Sequence, residues 1–341
     1  MTDTHMAREV AEIPQAVARL LSRGRAPVTA AAAALRAANP GLIVTVARGS
    51  SDHAATYLKY AVELTAGLPV ASVGPSVASI YRRSLQLTGA ACIGISQSGQ
   101  SPDIVEMMRA AGAGGALTLA LTNEGRSPMA RAVAHAIPLM AGPERSVAAT
   151  KTFIASVVAG LALVADWQGD EALRAGIAGL PEALSAALTL DWSALAARLE
   201  KAQSLYVLGR GPSFAIAAEA ALKGKETCGL HAEAYSAAEV LHGPAAIVRA
   251  HFPVLALAVE DAALPQVRAT AERLASQGAD VFVTAPDVPG AVSLPMVAGL
   301  HPMVAPLVLA TAWYRTVEAL ARARGYDPDT PPHLRKVTET L

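Results

Sequence analysis

Aromatic side chains are scarce, at 4% of 341 residues, the formal net charge is zero, and no run of lysine or arginine occurs. A nucleic-acid binder needs stacking faces and a positive stripe, so the physical basis for that function is missing. A small anionic ligand asks only for a local positive site and is not excluded. Cysteine is almost absent: Cys92 and Cys228 offer neither a disulfide framework nor a metal-ligand spacing. Cys92 reads as a small core residue. Long apolar runs are lacking too. The longest, near Val157–Ala165, falls far short of the ~18 residues of a spanning helix, and Met1–Val10 is too polar for a signal peptide. A cytoplasmic protein without membrane contact is expected. Charged residues are few (16%) against 52% hydrophobic ones, which excludes a disordered chain. The length suggests about two domains or one fused pair.

What the chain does hold is the stretch Ala91-Cys92-Ile93-Gly94-Ile95-Ser96-Gln97-Ser98-Gly99-Gln100-Ser101-Pro102-Asp103. Apolar residues up to Ile95 read as a buried strand, and a helix with Ile104, Val105 and Met108 on one side follows from Asp103. Pro102 suits a first helical turn and places Ser101 near the N-cap, where unpaired N–H groups and the positive dipole end can seat a phosphate. No P-loop lysine is present, so a sugar phosphate or similar monoester is favoured over a nucleotide. An ordinary Ser-rich strand-to-helix turn has the same composition.

In chain order, Arg8–Leu21 carries a helical apolar pattern interrupted at Pro14, and an Ala-rich helix runs to about Ala38. The strand Leu42–Ala47, the loop Arg48-Gly49-Ser50-Ser51-Asp52 and a helix from His53 to Ala66 follow. A second copy reads Leu205–Gly209, Arg210-Gly211-Pro212-Ser213 and an Ala-rich helix from Ala215. Both copies place Arg-Gly-x-Ser between strand and helix, at 48 and at 210, an offset of 162. The same offset carries strand Leu117–Thr122 onto Asp280–Thr284, and Ile95 onto Leu257 within the apolar run Val254–Val259. An internal duplication follows, each copy a β-α-β-α-β unit with a parallel sheet covered by helices on both faces, an α/β fold. Ligands in such folds gather at the carboxyl ends of strands, where 48–51, 96–101 and 210–213 fall. The joint, Asp166–Trp192, is helical and has no Gly/Ser linker.

The second copy carries Glu219-Ala-Ala-Leu-Lys223-Gly-Lys225-Glu226, then His231-Ala-Glu233-Ala-Tyr235 and His242-Gly243-Pro244. Glu219, Lys223 and Glu226 share one helix face. A solvated salt-bridge stripe accounts for that spacing. So does a partly desolvated carboxylate beside an ammonium, which is what proton transfer next to a carbonyl requires. His242 suits a surface or capping residue, or an acid/base for opening a sugar ring. The tail from Tyr326 lacks a core pattern and reads as a disordered end, or as a flap bringing Lys336 over a site.

Taken together, Arg-Gly-Ser-Ser, Ser-Gln-Ser-Gly-Gln-Ser, Glu144-Arg-Ser-Val147-Ala148-Ala149-Thr150-Lys151, the Lys223/Glu226 helix with His-Ala-Glu-Ala-Tyr and His-Gly-Pro, and the Leu-x-Lys-Val-Thr ending resemble the sugar isomerase (SIS) family. The likeness is to the isomerase half of glucosamine-6-phosphate synthase and its stand-alone relatives, and it runs from Met6-Ala-Arg-Glu9 to Leu341. It implies two tandem flavodoxin-like SIS domains: residues 1–35 as an N-terminal helical segment, 36–166 and 193–325 as the domains, and 326–341 as a tail over the active site. By resemblance Ser51, Ser96, Gln97, Ser98 and Ser101 hold the sugar phosphate and Ser50 lines the sugar. Glu226 shuttles the proton between C1 and C2 with Lys223 as its partner, His242 opens the ring from the other subunit, and Lys336 meets the open-chain sugar. A homodimer with shared sites is implied, with no metal or cofactor.

Two departures point to a subtype. No glutaminase domain precedes residue 35 and no cysteine follows Met1, so we expect no ammonia supply from glutamine and a reaction run toward ammonia release. Ala149 stands where the synthase usually has Ser, which removes one sugar contact. The expected activity is deamination of glucosamine 6-phosphate to fructose 6-phosphate and ammonia. Alternatives are a deglycase of fructosamine-type phosphates, another phosphosugar isomerase, or a non-catalytic sugar-phosphate-binding regulator.

Overall fold

Leu42–Val46 is apolar or β-branched at every position, the pattern of a strand covered on both faces, and it is buried along nearly its whole length. The computed structural model that contains it describes residues 4–336. The chain divides into two compact units that interleave along the sequence. One holds Glu12–Glu144, Lys151–Gly179 and, from the tail, Arg335 and Lys336; the other holds residues 4–11, Arg145–Thr150 and Leu180–Leu334.

Helix α1 (His5–Ala11) belongs to the second of these units, and α2 (Ile13–Arg23) and α3 (Arg25–Ala38) to the first. The helical pattern breaks at Glu12, between α1 and α2, and Pro14 sits in the first turn of α2, where its missing N–H is harmless. The first unit continues with β1 (Leu42–Val46), α4 (Ser50–Ala66), β2 (Val70–Ser72), α5 (Ser76–Ser79), β3 (Ala90–Ile95) and α6 (Pro102–Ala113). It closes with β4 (Leu117–Thr122), α7 (Pro128–Arg131), β5 (His135–Pro138), α8 (Lys151–Gln168) and α9 (Glu171–Ala178). Among the described residues its sheet has five parallel strands in the order β2-β1-β3-β4-β5. Val44, Val46, Cys92 and Ala120 pack on one face against Ile104, Val105, Met107 and Met108 of α6. On α8, Gly160 leaves room for Leu58 of α4 and Leu121 of β4: an added Cβ would lie 3.3 Å from one and 3.9 Å from the other.

The second unit carries α10 (Leu180–Ala187), α11 (Ser193–Leu199), β6 (Ser204–Gly209), α12 (Pro212–Cys228) and β7 (His231–Ser236). Two short 3-10 turns lead to β8 (Pro253–Ala256), α13 (Leu264–Ser276), β9 (Asp280–Val283), β10 (Val292–Ser293) and α14 (Ala305–Ala323). The strand order, β7-β6-β8-β9-β10, repeats that of the first sheet. The expected duplication is thus present: α4 and α12 are both 17 residues long and lie 162 positions apart, from 50 to 212.

Two expectations are corrected. Ser50, Ser51 and Asp52 are not loop but the first turn of α4, because Gly49 reverses the chain in one residue at φ +53, as Gly211 does at φ +61 before α12. Side chains rarely adopt that conformation. The strand expected over Val254–Val259 stops at Ala256, since the N–H of Ala258 turns to the Thr284 hydroxyl (2.8 Å) instead of the sheet ladder. Among the described residues no helix is long and apolar enough to cross a membrane.

Candidate functional site

In the first unit β1 connects toward β2 on one side while β3 lies on the other, so the chain changes direction between β1 and β3 and leaves a crevice beyond their carboxyl ends. A cavity of about 350 Å³ opens there, lined by Arg48, Gly49, Ser51, Ile95, Ser96, Gln97, Ser98, Ser101, Ile104 and Lys336. The structure therefore brings Ser51, Ser96, Gln97, Ser98, Ser101 and Lys336 together around one cavity. Ser50, half-buried in the first turn of α4, is not among the lining residues.

The serine loop is held by its own groups. The Ser96 hydroxyl accepts from the N–H of Gly99 (3.1 Å), and that of Ser98 from Gln100 (3.3 Å). The Gln97 carbonyl accepts from the Asn123 N–H (3.1 Å), and the Gly99 carbonyl from Met129 (3.0 Å), which ties the loop to the ends of β4 and α7. Gly99 has φ +60, and a Cβ there would fall 2.2 Å from the Ser127 hydroxyl oxygen. Ser101 is the N-cap of α6, yet its side chain makes no capping bond. Its hydroxyl and the helix N-terminus can therefore meet an anion.

Charge around the cavity is arranged in pairs. Arg48 reaches Asp103 Oδ2 through Nε (3.2 Å) and Nη2 (3.0 Å); Asp103 is buried, whereas the arginine side chain is 53% exposed. The Lys336 ammonium lies 3.1 Å from Glu144 Oε2, and that same carboxylate takes the Thr152 hydroxyl (2.5 Å) and N–H (3.1 Å). Burial raises the Asp52 carboxyl on α4, against the opposing pull of His53 and Arg48.

In the second unit, Lys223 is fully buried between Glu219 Oε1 at 3.3 Å and Glu226 Oε2 at 2.6 Å. Glu219 is buried, while Glu226 keeps 20% of its side-chain surface exposed. The solvated-stripe interpretation of this spacing is excluded by that burial. Burial acts to lower the Lys223 ammonium, but the two adjacent carboxylates outweigh it and the net shift is upward. Glu226 also lines a separate cavity of about 440 Å³ with Leu222, Lys225, Gly229, Tyr326, Pro332 and Leu334.

His242 ends a 3-10 turn and is exposed. Ala149 lies half-buried in the segment 145–150, whose start is pinned by Glu9 of α1 through the N–H groups of Arg145 and Ser146. Neither lines the serine cavity. The Val337–Leu341 part of the ending motif lies outside the described residues. Sequence reasoning missed Tyr314, whose hydroxyl donates to Glu219 Oε1 (2.9 Å), and the pairing of the buried Lys151 with the exposed Glu12 (2.5 Å). Nothing in their local sequence signals either contact. Among the described residues no cluster of His, Cys, Asp and Glu is placed to hold a metal ion.

A parallel sheet flanked by helices, occurring twice in one chain and carrying in its first copy a serine-rich loop at the switch point, is the architecture of SIS proteins. The SIS domain model matches residues 38–165 and 198–285, and the chain belongs to that family. It is 32% identical to a glutamine–fructose-6-phosphate aminotransferase (isomerizing) of Aeropyrum pernix, over 97% of this chain and 56% of that protein. The chain thus spans little more than half the length of that relative. Among solved structures, a provisionally named phosphosugar isomerase from Silicibacter pomeroyi DSS-3 is 54% identical, with a TM-score of 0.93 over 96% of this chain and 100% of the other. The glucosamine-6-phosphate deaminase of Thermotoga maritima, 20% identical with a TM-score of 0.73 over 94% and 100% of the two chains, shares the fold.

Proposed function

We propose that the protein is an aldose–ketose isomerase of phosphorylated sugars whose particular reaction is deamination of glucosamine 6-phosphate to fructose 6-phosphate and ammonia. The observation that carries this reading is Glu226, a carboxylate fixed 2.6 Å from a buried ammonium while part of its surface stays open. The serine cavity, with Arg48 and Lys336 among its lining, supports a phosphate monoester as the group recognised. Relatives that carry out an isomerizing transfer on fructose 6-phosphate support the choice of sugar.

In this reading His242 assists opening of the pyranose ring. Glu226 then takes the proton from C2 of the open aldose, and the Lys223 ammonium favours the ionised carboxylate and the developing oxyanion. Return of the same proton to C1, as one amine proton passes to O1, gives the C2 imine. Water adds to that imine and ammonia leaves, so the enzyme ends as it began. Lys336 meets the open-chain sugar. The working species is a cytoplasmic homodimer with shared sites, requiring no metal or redox cofactor. A regulator that merely bound sugar phosphate would need the serine cavity but not a lysine buried between two carboxylates.

The test is a coupled assay of ammonia and ketose release from glucosamine 6-phosphate, galactosamine 6-phosphate and a fructosamine phosphate, with Glu226→Gln as control. Glucosamine 6-phosphate is expected to be turned over best, and Glu226→Gln to be inactive. Ammonia from none of the amino-sugar phosphates would sink the deaminase reading; amine release from the fructosamine phosphate alone would replace it with the deglycase.

A further inference from the structure

We infer that Tyr314 is a positioning residue for Glu226, acting through Glu219 and Lys223; this rests on the proton-transfer role proposed above and brings into it a helix that role does not name. Tyr314 lies on α14 and is fully buried. Its hydroxyl donates to Glu219 Oε1 at 2.9 Å. That same oxygen is 3.3 Å from the Lys223 ammonium, which reaches Glu226 Oε2 at 2.6 Å. Four side chains therefore stand in series from the core of α14 to the open face of α12, and only the last is appreciably exposed.

The phenol's contribution is orientation. A carboxylate can turn about its terminal torsion, and a donor on Oε1 restrains that turn, which in turn places the ammonium. In a site this dry, the pull of an ammonium on a carboxylate changes steeply with distance. The contact between α14 and α12 does not depend on the phenol, because the Trp313 indole N–H donates to the Ala220 carbonyl (3.1 Å) and the Cys228 thiol to that of Val317 (3.4 Å).

The other titratable groups on elements packed against α12 are engaged elsewhere. Glu318 of α14 bonds Arg322 and Thr4, and Arg315 of the same helix donates to the Leu190 carbonyl (3.2 Å). Glu233 of β7 meets Tyr235 and His231, and Tyr206 of β6 donates to the Pro244 carbonyl. On α12 itself, Lys225 borders the cavity beside Glu226.

Tyr314→Phe keeps the ring and removes the donor. On glucosamine 6-phosphate its kcat should fall about tenfold, the order expected for one hydrogen bond to a charged group, with KM unchanged. The acid limb of its kcat profile should move to higher pH, since a carboxylate base whose ammonium is less well seated protonates sooner as pH falls. Should the variant not fold, Glu219→Asp, which keeps the charge but draws the carboxylate back from both the phenol and the ammonium, should show the same shift of the acid limb. Unchanged kcat and acid limb, even with a lower melting temperature, overturn the inference by leaving the phenol a purely structural part. If those results accompany an inactive Glu226→Gln, the inference alone fails; if Glu226→Gln is as active as the wild type, the reading beneath it fails as well.

Discussion

The Lys336 ammonium stands 3.1 Å from Glu144, a carboxylate with no exposed side-chain surface, at the rim of the serine cavity. Arg48 is the other cationic side chain in that lining, and it is already tied to Asp103. Lys336→Met should therefore weaken binding of inorganic phosphate by up to about tenfold, and in the proposed reaction, where the tail lysine also meets the open-chain sugar, it should lower turnover of glucosamine 6-phosphate further. Calorimetric titration with phosphate beside steady-state kinetics checks both. Wild-type phosphate affinity in the variant would remove Lys336 from anion recognition.

Lys223 should matter to the fold as well as to turnover. Replacing it with Met leaves Glu219 buried without its ammonium, and breaking a buried ion pair in this way costs about 3–5 kcal/mol. The pH dependence has a definite sign. The folded-state value of Lys223 is raised above its ordinary 10.5. Its contribution is accordingly full below that ordinary value and is lost as pH rises through the higher folded one. Urea melts of wild type and Lys223→Met should differ most near neutral pH and converge in strong base. A gap that widens with alkalinity would contradict the assignment.

Much of the architecture is legible in the chain because the central strands β1, β3, β4, β6, β8 and β9 are continuous apolar runs, and because Gly49 and Gly211 mark the same turn 162 residues apart. The outer strands are not. β2, β5 and β10 have two to four residues, and β7 alternates His, Glu and Tyr with Ala, so none buries enough apolar surface to leave a pattern. The serine loop can be found locally, since hydroxyls, Gly99 and the Ser101-Pro102 helix start lie together. The character of the Lys223 helix cannot. Spacing alone serves a solvated stripe and a buried relay equally, and the choice falls to α14, which supplies Tyr314 from 95 residues away. The joining of α1 to the second unit is likewise non-local, resting on Thr4 with Glu318 and on Glu9 with the backbone of Arg145 and Ser146.

Gly99 offers a test of the loop that leaves every functional group in place. Gly99→Ala forces a side chain into φ +60 and drives its Cβ against Ser127 and Thr122. Strain of this kind costs about 1–3 kcal/mol where the surroundings do not yield. Here the loop can yield instead, by giving up the Ser96 hydroxyl bond to the Gly99 N–H. Phosphate affinity should consequently fall more than global stability does. Unchanged phosphate binding by calorimetry would show that the serine geometry is not what recognises the anion.

Sharing of sites between subunits can be tested without a structure of the assembly. His242 is exposed on its own chain, whereas Glu226 is anchored to the buried Lys223. Glu226→Gln and His242→Ala variants should each be nearly inactive as pure preparations. If Glu226 works with His242 of the partner subunit, a mixed dimer of the two variants contains one site with both native residues and one with neither. Equal mixing with free exchange makes about half the dimers mixed, so roughly a quarter of wild-type turnover should return. Recovery that requires exchange, and is absent when the two are combined after cross-linking, supports shared sites. Were the two residues to act within one chain, no mixture could regain activity, and the assay would read zero at every ratio.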